Sequence, residues 1–187
     1  MIITFFGHSS YCENTEDEQR LLNHIEKVAD GNQIDFYIGW YGEFDNFALK
    51  CAKKYKEKHA DAKIIFITPY IDKNYARLDN ALRIFDETIY PEIENTPKRF
   101  AISKRNEWMI DKADYIFFYV FLHFGGAYNA LRYAHKNNKP YVNLYKGNYE
   151  LYWKQLIFII ECSFDMLIKI ADLFAVSIDY LLGRKEY

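Results

Sequence analysis

Three glycine-containing turns and one arginine carry the residue types that suit a phosphorylated ligand. The first turn is Gly7-His8-Ser9-Ser10. Glycine permits a sharp turn and a close approach of backbone to ligand. The Ser9 and Ser10 hydroxyls and the free amides beside them suit a phosphate or a ribose. An ordinary tight strand-to-helix turn reads equally well here. His8 is a candidate hydrogen-bond donor to ligand, although a lone histidine is more often structural.

The second turn runs Gly39-Trp40-Tyr41-Gly42-Glu43-Phe44-Asp45-Asn46. Gly39 and Gly42 leave room for a ligand, and Trp40 and Tyr41 offer π-faces to a base. Asp45 is a candidate acceptor for ribose hydroxyls; alternatively, Asp45 or Glu43 favours the start of the next helix through its dipole. The third turn is Phe124-Gly125-Gly126-Ala127-Tyr128-Asn129. A double glycine opening a helix is an anion site, because unpaired amides and the helix dipole point the same way. Tyr128 and Asn129 would then contact the base or its sugar. Arg105 lies ten residues ahead of the strand that precedes this turn. There it either reaches the ligand and pairs a phosphate bidentately or stands in solvent.

These turns need elements that bring them together. Strand candidates are Ile2–Phe6, Ile34–Ile38, Lys63–Thr68, Tyr115–Val120 and Pro140–Leu144. Helical patterns cover Asn14–Ala29, Glu43–His59, Arg99–Lys112 and Ala127–Asn137. The stretch from Tyr70 to Pro97 reads as long and irregular with short helices, and loops of that length are often functional lids. Strict alternation implies right-handed crossovers and a parallel sheet. The expected fold is α/β: a Rossmann-like parallel sheet flanked by helices, with a short C-terminal helical appendage. Residues 1–146 form the sheet domain and residues 147–187 the appendage. Ligands bind beyond the carboxyl ends of such strands, which gathers the turns around one crevice.

Half the residues are hydrophobic, enough for a core without metals or disulfides. Aromatics make up 19%, and most sit in strand-like runs, which favours an aromatic core over base-stacking surfaces. The net charge of −2 gives no footprint for duplex DNA and argues against DNA as a partner. Cys12, Cys51 and Cys162 lack metal-ligand spacing and read as free thiols of a reducing cytoplasm. The start lacks a signal-peptide pattern, and the longest apolar run, Leu156–Ile160, is far short of the ~20 residues a span needs. No metal, cofactor or membrane partner is expected.

The segment Lys104–Ala134 resembles the SLOG superfamily, which includes LOG phosphoribohydrolases and DprA-like proteins. Arg105, Met109, Ala113-Asp114 and Gly125-Gly126 match the LOG order of arginine, methionine, Ala-Asp, strand and PGGxGTxxE. Gly39, Asp45 and Ala48 are similar to the GGxxGxDxxA loop of YpsA-like members. Tyr133-Ala134 and Lys139-Pro140 resemble the corresponding tail of nucleoside deoxyribosyltransferases. The resemblance covers roughly residues 1–145. It implies a Rossmann-like domain that holds a nucleotide-derived ligand on Gly7, His8, Ser9, Gly39, Tyr41, Gly42, Asp45, Arg105, Gly125, Gly126, Tyr128 and Asn129.

The pattern departs at the bond-breaking carboxylate. The LOG Gly-Thr is replaced by Tyr128-Asn129 and its glutamate by Arg132; in the deoxyribosyltransferase register the glutamate position falls on Ala130. Oxocarbenium-like cleavage needs a nearby carboxylate. Glu43, Asp45 and Glu107 are the candidate substitutes. The balance favours a binder over a hydrolase. SLOG proteins without this machinery resemble sensors of nucleotide-derived signals, often in phage defence, and a protein that sequesters such a signal would read the same. Ser163–Arg184 is similar to the distal helices of Cro/XRE helix-turn-helix regulators. Without a recognition helix or a positive face, it reads as a packing or dimerisation element or a cap on the sheet. A homodimer or higher homo-oligomer is expected, and a regulator acting through this tail is the remaining alternative.

Overall fold

In the computed structural model, residues 1–70, 81 and 83–147 are described. The predicted helices from Tyr149 onward, Cys162 and the Ser163–Arg184 segment lie outside the described residues. The chain divides into two compact units, Met1–Tyr145 and Lys146–Tyr187.

In the first unit, β1 (Ile2–Gly7), β2 (Asp35–Ile38), β3 (Lys63–Ile67), β4 (Glu87–Ile89), β5 (Tyr115–Tyr119) and β6 (Tyr141–Asn143) form one sheet. Its order is β4-β3-β2-β1-β5-β6, and every neighbouring pair is parallel. The helices are α1 (Thr15–Ala29), α2 (Glu43–Lys58), α3 (Ala101–Lys112) and α4 (Gly125–Lys136). This is the Rossmann-like α/β architecture that the alternation implies.

Both sheet faces are apolar because helices cover both. Phe5 and Phe117 are paired across β1 and β5, face the α1–α2 layer and stack with centroids 5.7 Å apart. One residue on, Phe6 and Phe118 face the α3–α4 layer and stack at 5.6 Å. The period of two thus feeds two separate cores. Leu21, Ile25 and Ala29 give α1 a buried stripe at four-residue spacing. The Asn14 side chain caps α1 by accepting the Asp17 N–H at 2.7 Å. Asp30, with φ 44°, ends the helix in the left-handed region.

The element bounds differ in two instructive places. β4 forms within the stretch expected to be irregular. Asp86 sets it against β3: its carboxylate accepts the Ile64 N–H at 2.7 Å, and its own N–H donates to the Ile64 carbonyl. Three residues with one aliphatic side chain show no alternation, so the strand is invisible to periodicity. Secondly, α4 begins at Gly125, not Ala127, so both glycines belong to its first turn.

α1 and α2 lie on one face and α3 and α4 on the other, so the crossover direction switches between β1 and β5. In open α/β sheets the crevice outside the carboxyl ends at such a switch is where ligands sit. No helix among the described residues is long and apolar enough to cross a membrane.

Candidate functional site

A cavity of about 410 Å³ occupies that switch point. It is lined by Gly7, His8 and Ser9 from the end of β1 and by Gly39, Tyr41, Gly42 and Asp45 from the β2–α2 turn. Arg105 reaches it from α3, and Gly125 and Gly126 from the start of α4. Ser10 of the first turn lines it as well, as do Ile102, Asn106, Leu122 and Phe124, which sequence reasoning did not select for the site. Ile102 lies three residues before Arg105 and Asn106 four residues after Ile102, and that helical spacing would have found them.

Arg105 is 2% exposed and not a solvent-facing cation. Its Nη1 donates to the Ile67 carbonyl oxygen at the end of β3, at 3.0 Å. The guanidinium lies 5.1 Å from the Tyr41 ring centroid. It also sits against Gly39: a Cβ built there would meet Nη1 at 2.5 Å. Gly39 therefore makes room for the arginine before it makes room for any ligand. Gly7 is closed in the same way, since a Cβ there would fall 2.3 Å from the Phe44 ring. At both glycines the space on the Cβ side is filled by the protein itself, although both line the cavity.

Gly125 and Gly126 differ. Among the described residues nothing lies within 4 Å of a Cβ built on either, and Gly125 adopts φ +86°. Among the described residues no side chain caps α4, and its first turn carries no acidic residue. An uncapped helix start leaves amide donors facing outward, where the dipole favours an anion.

Asp45 turns inward on its own loop. Its Oδ2 accepts the Tyr41 N–H at 2.7 Å. Burial raises its carboxyl above the usual range, and the Tyr41 amide, the Arg105 guanidinium and the Gly42 amide offset that only in part. Asp45 thus holds the second turn in shape while it lines the cavity. Trp40 does likewise. It sits at φ +55°, and its ring packs edge-on against Phe66 and Phe85 of the core, centroids 5.6 and 5.4 Å away. It is therefore a core ring and not a base platform.

His8 ties two strand ends together. Its Nε2 accepts the Phe121 N–H at 3.2 Å and the Leu122 N–H at 3.0 Å. The geometry therefore assigns its proton to Nδ1. Burial lowers its pKa from 6.5, consistent with a neutral ring. The histidine fixes the path of the loop that leads to Gly125.

Tyr128 and Asn129 lie outside this cavity and line a separate one, correcting their placement with the glycines. On α4, Ala127, Ala130 and Ala134 take the buried side, so the two residues between turn outward. Of the carboxylates that might replace the missing glutamate, Asp45 alone lines the cavity. Glu43 is exposed, and Glu107 pairs with Lys104 at 2.7 Å.

Comparison with protein-family models gives no match, and comparison with curated proteins gives none. Among solved structures, the chain is similar to DNA processing protein A (DprA) from Helicobacter pylori, described for its single-stranded DNA binding mode. The TM-score is 0.51 at 14% identity, and the match covers 75% of this chain and 63% of that one. This chain thus spans less than two thirds of that neighbour's length. The likeness corrects the expectation against DNA. That expectation rested on net charge, yet a protein of this fold binds single-stranded DNA. The likeness also agrees, at the level of fold, with the resemblance to a superfamily that includes DprA-like proteins. The chain carries the Rossmann-like fold shared with DNA processing protein A.

Proposed function

We propose that this chain binds a nucleotide-derived small molecule in the switch-point cavity, as a sensor or a sequestering protein of the SLOG type. One observation carries the reading. The open Gly125–Gly126 helix start and the buried Arg105 line one cavity of about 410 Å³. A phosphate there would receive main-chain amides and a fixed cation together. Exposed Phe124 and half-buried Tyr41 supply rings for a base, and the Ser9 and Ser10 hydroxyls reach a sugar. A signal of the ADP-ribose or cyclic-nucleotide type matches this mixture, and a phage-defence setting matches such a signal. Mass spectrometry of small molecules released from protein purified out of its native host tests the reading. A nucleotide released from the wild type and missing from Arg105→Ala supports it. A wild type that carries none, and whose melting temperature no nucleotide raises, sinks it.

Asp45 favours a second reading, N-glycosidic hydrolysis. It is a carboxylate at the cavity, and its raised pKa suits proton donation. Chromatography of nucleoside monophosphates incubated with the protein decides between the two. Free base released by the wild type and not by Asp45→Asn would make the chain an enzyme.

A further inference from the structure

The outward side of α4 is basic and aromatic. Tyr128, Arg132 and Lys136 follow one another at four-residue spacing, a single stripe about 12 Å long. With Tyr133, His135 and Tyr141 they line a second cavity, of about 560 Å³. Arg132, His135 and Lys136 are exposed, and the Arg132 guanidinium lies 6.0 Å from the Tyr128 ring centroid.

The charge here is unbalanced. From Gly125 to Tyr141 the chain has no carboxylate, while Arg132, Lys136 and Lys139 are cationic. Several lysines elsewhere are matched: Lys50 and Lys54 of α2 pair with Glu13 and Glu18, and Lys56 with Asp86. Among the described residues no carboxylate pairs with Arg132, His135 or Lys136. Asp111 of α3, packed alongside, accepts the Tyr133 hydroxyl at 3.2 Å. The Lys139 ammonium is tied to the Asp111 and Ala113 carbonyl oxygens, which leaves Arg132 and Lys136 as the outward cations of the stripe.

Unmatched cations attract phosphates, and ring faces beside them attract bases. A duplex buries its base faces, whereas a single strand offers bases and phosphates together. We propose that this face of α4 binds single-stranded nucleic acid, with Arg132 and Lys136 on backbone phosphates and Tyr128 against an unpaired base. None of these residues lines the switch-point cavity, so the two sites stand or fall separately.

Fluorescence anisotropy of a labelled dT oligonucleotide with the full chain tests this. Binding is expected that weakens as salt rises, with a log–log slope of roughly −0.7 per phosphate contacted. Arg132→Glu with Lys136→Glu weakens it at least about tenfold and flattens the salt slope. Tyr128→Ala weakens it about fivefold or more, as loss of one stacked base should. Lys27→Glu with Lys58→Glu makes the same charge change on exposed residues of α1 and α2 and leaves binding nearly intact. Circular dichroism confirms that each variant is folded. No binding at low salt, or an equal loss in the Lys27/Lys58 variant, overturns the proposal. So does equal affinity for the duplex or for inorganic polyphosphate. A dimer in sedimentation that the Arg132/Lys136 variant dissolves, with oligonucleotide binding unchanged, assigns the face to a second copy and overturns it too.

Discussion

The glycine turns at the ends of β1 and β2 and the glycine turn at the start of α4 share a missing side chain and have opposite environments. Behind Gly7 stands the Phe44 ring, and behind Gly39 stands the Arg105 guanidinium. Behind Gly125 and Gly126 there is open space among the described residues. A missing side chain is therefore used in two ways at one site. In the first two turns it lets the protein pack on itself and places an arginine where a phosphate would sit. In the third it leaves helix amides bare. Strand-end glycines alone do not show where a ligand touches; the atoms behind each one do.

The largest expected effect comes from closing the filled pair. Gly7→Ala forces a Cβ into the Phe44 ring, and such overpacking costs about 1–3 kcal/mol. Urea unfolding should register it whether or not ligand is present. Arg105→Ala comes next and should act on binding as well as packing. Calorimetry with ADP-ribose should show a loss of about 1.5–3 kcal/mol, the range for hydrogen bonds to a charged group. Unchanged affinity would remove Arg105 from the site and reduce it to a support for Ile67. Gly126→Ala should invert the pattern, with stability moving less than about 0.5 kcal/mol because nothing is displaced. Affinity for the same ligand should fall, since the new methyl occupies the side a phosphate would approach. A variant that binds normally would erase the distinction between the two kinds of turn.

The smallest effect concerns the His8 clasp. Its pKa is lowered in the fold, so the folded state favours the neutral ring. The unfolded chain then takes up protons first as pH falls below 6.5. The stabilisation is whole above that pH and is lost as pH drops through the lowered value. Protonated Nε2 would face the Phe121 and Leu122 amides donor to donor. Comparing urea stability at pH 7.5 with that at pH 5 should show a larger loss for the wild type than for His8→Gln. Equal losses would mean that the clasp does not titrate.

The alternation of strands and helices, the parallel sheet and the gathering of the turns at its carboxyl edge were all legible in the sequence, because each follows from short-range periodicity. The distance of Arg105 to β5 left two alternatives, crevice or solvent, and only its burial decides between them. What stayed hidden depends on contacts between distant segments. Gly7 reads as a ligand turn until Phe44 of α2 is seen behind it. Trp40 reads as a platform until Phe66 and Phe85 are seen beside it. β4 exists through Asp86 and its bonds to Ile64, 22 residues away in the chain. Tyr128 and Asn129 read as site residues from their adjacency to Gly125-Gly126 until Ala127, Ala130 and Ala134 are seen to take the buried side of α4.

The central claim is that an anionic ligand lies on the bare start of α4. Amide chemical-shift mapping during titration of the full chain with ADP-ribose or AMP tests it most directly. The Gly125 and Gly126 amides should shift most, with the Arg105 side chain following, while Gly31 at the far end of α1 stays still. Shifts confined to other segments, or none at saturating ligand, would contradict it.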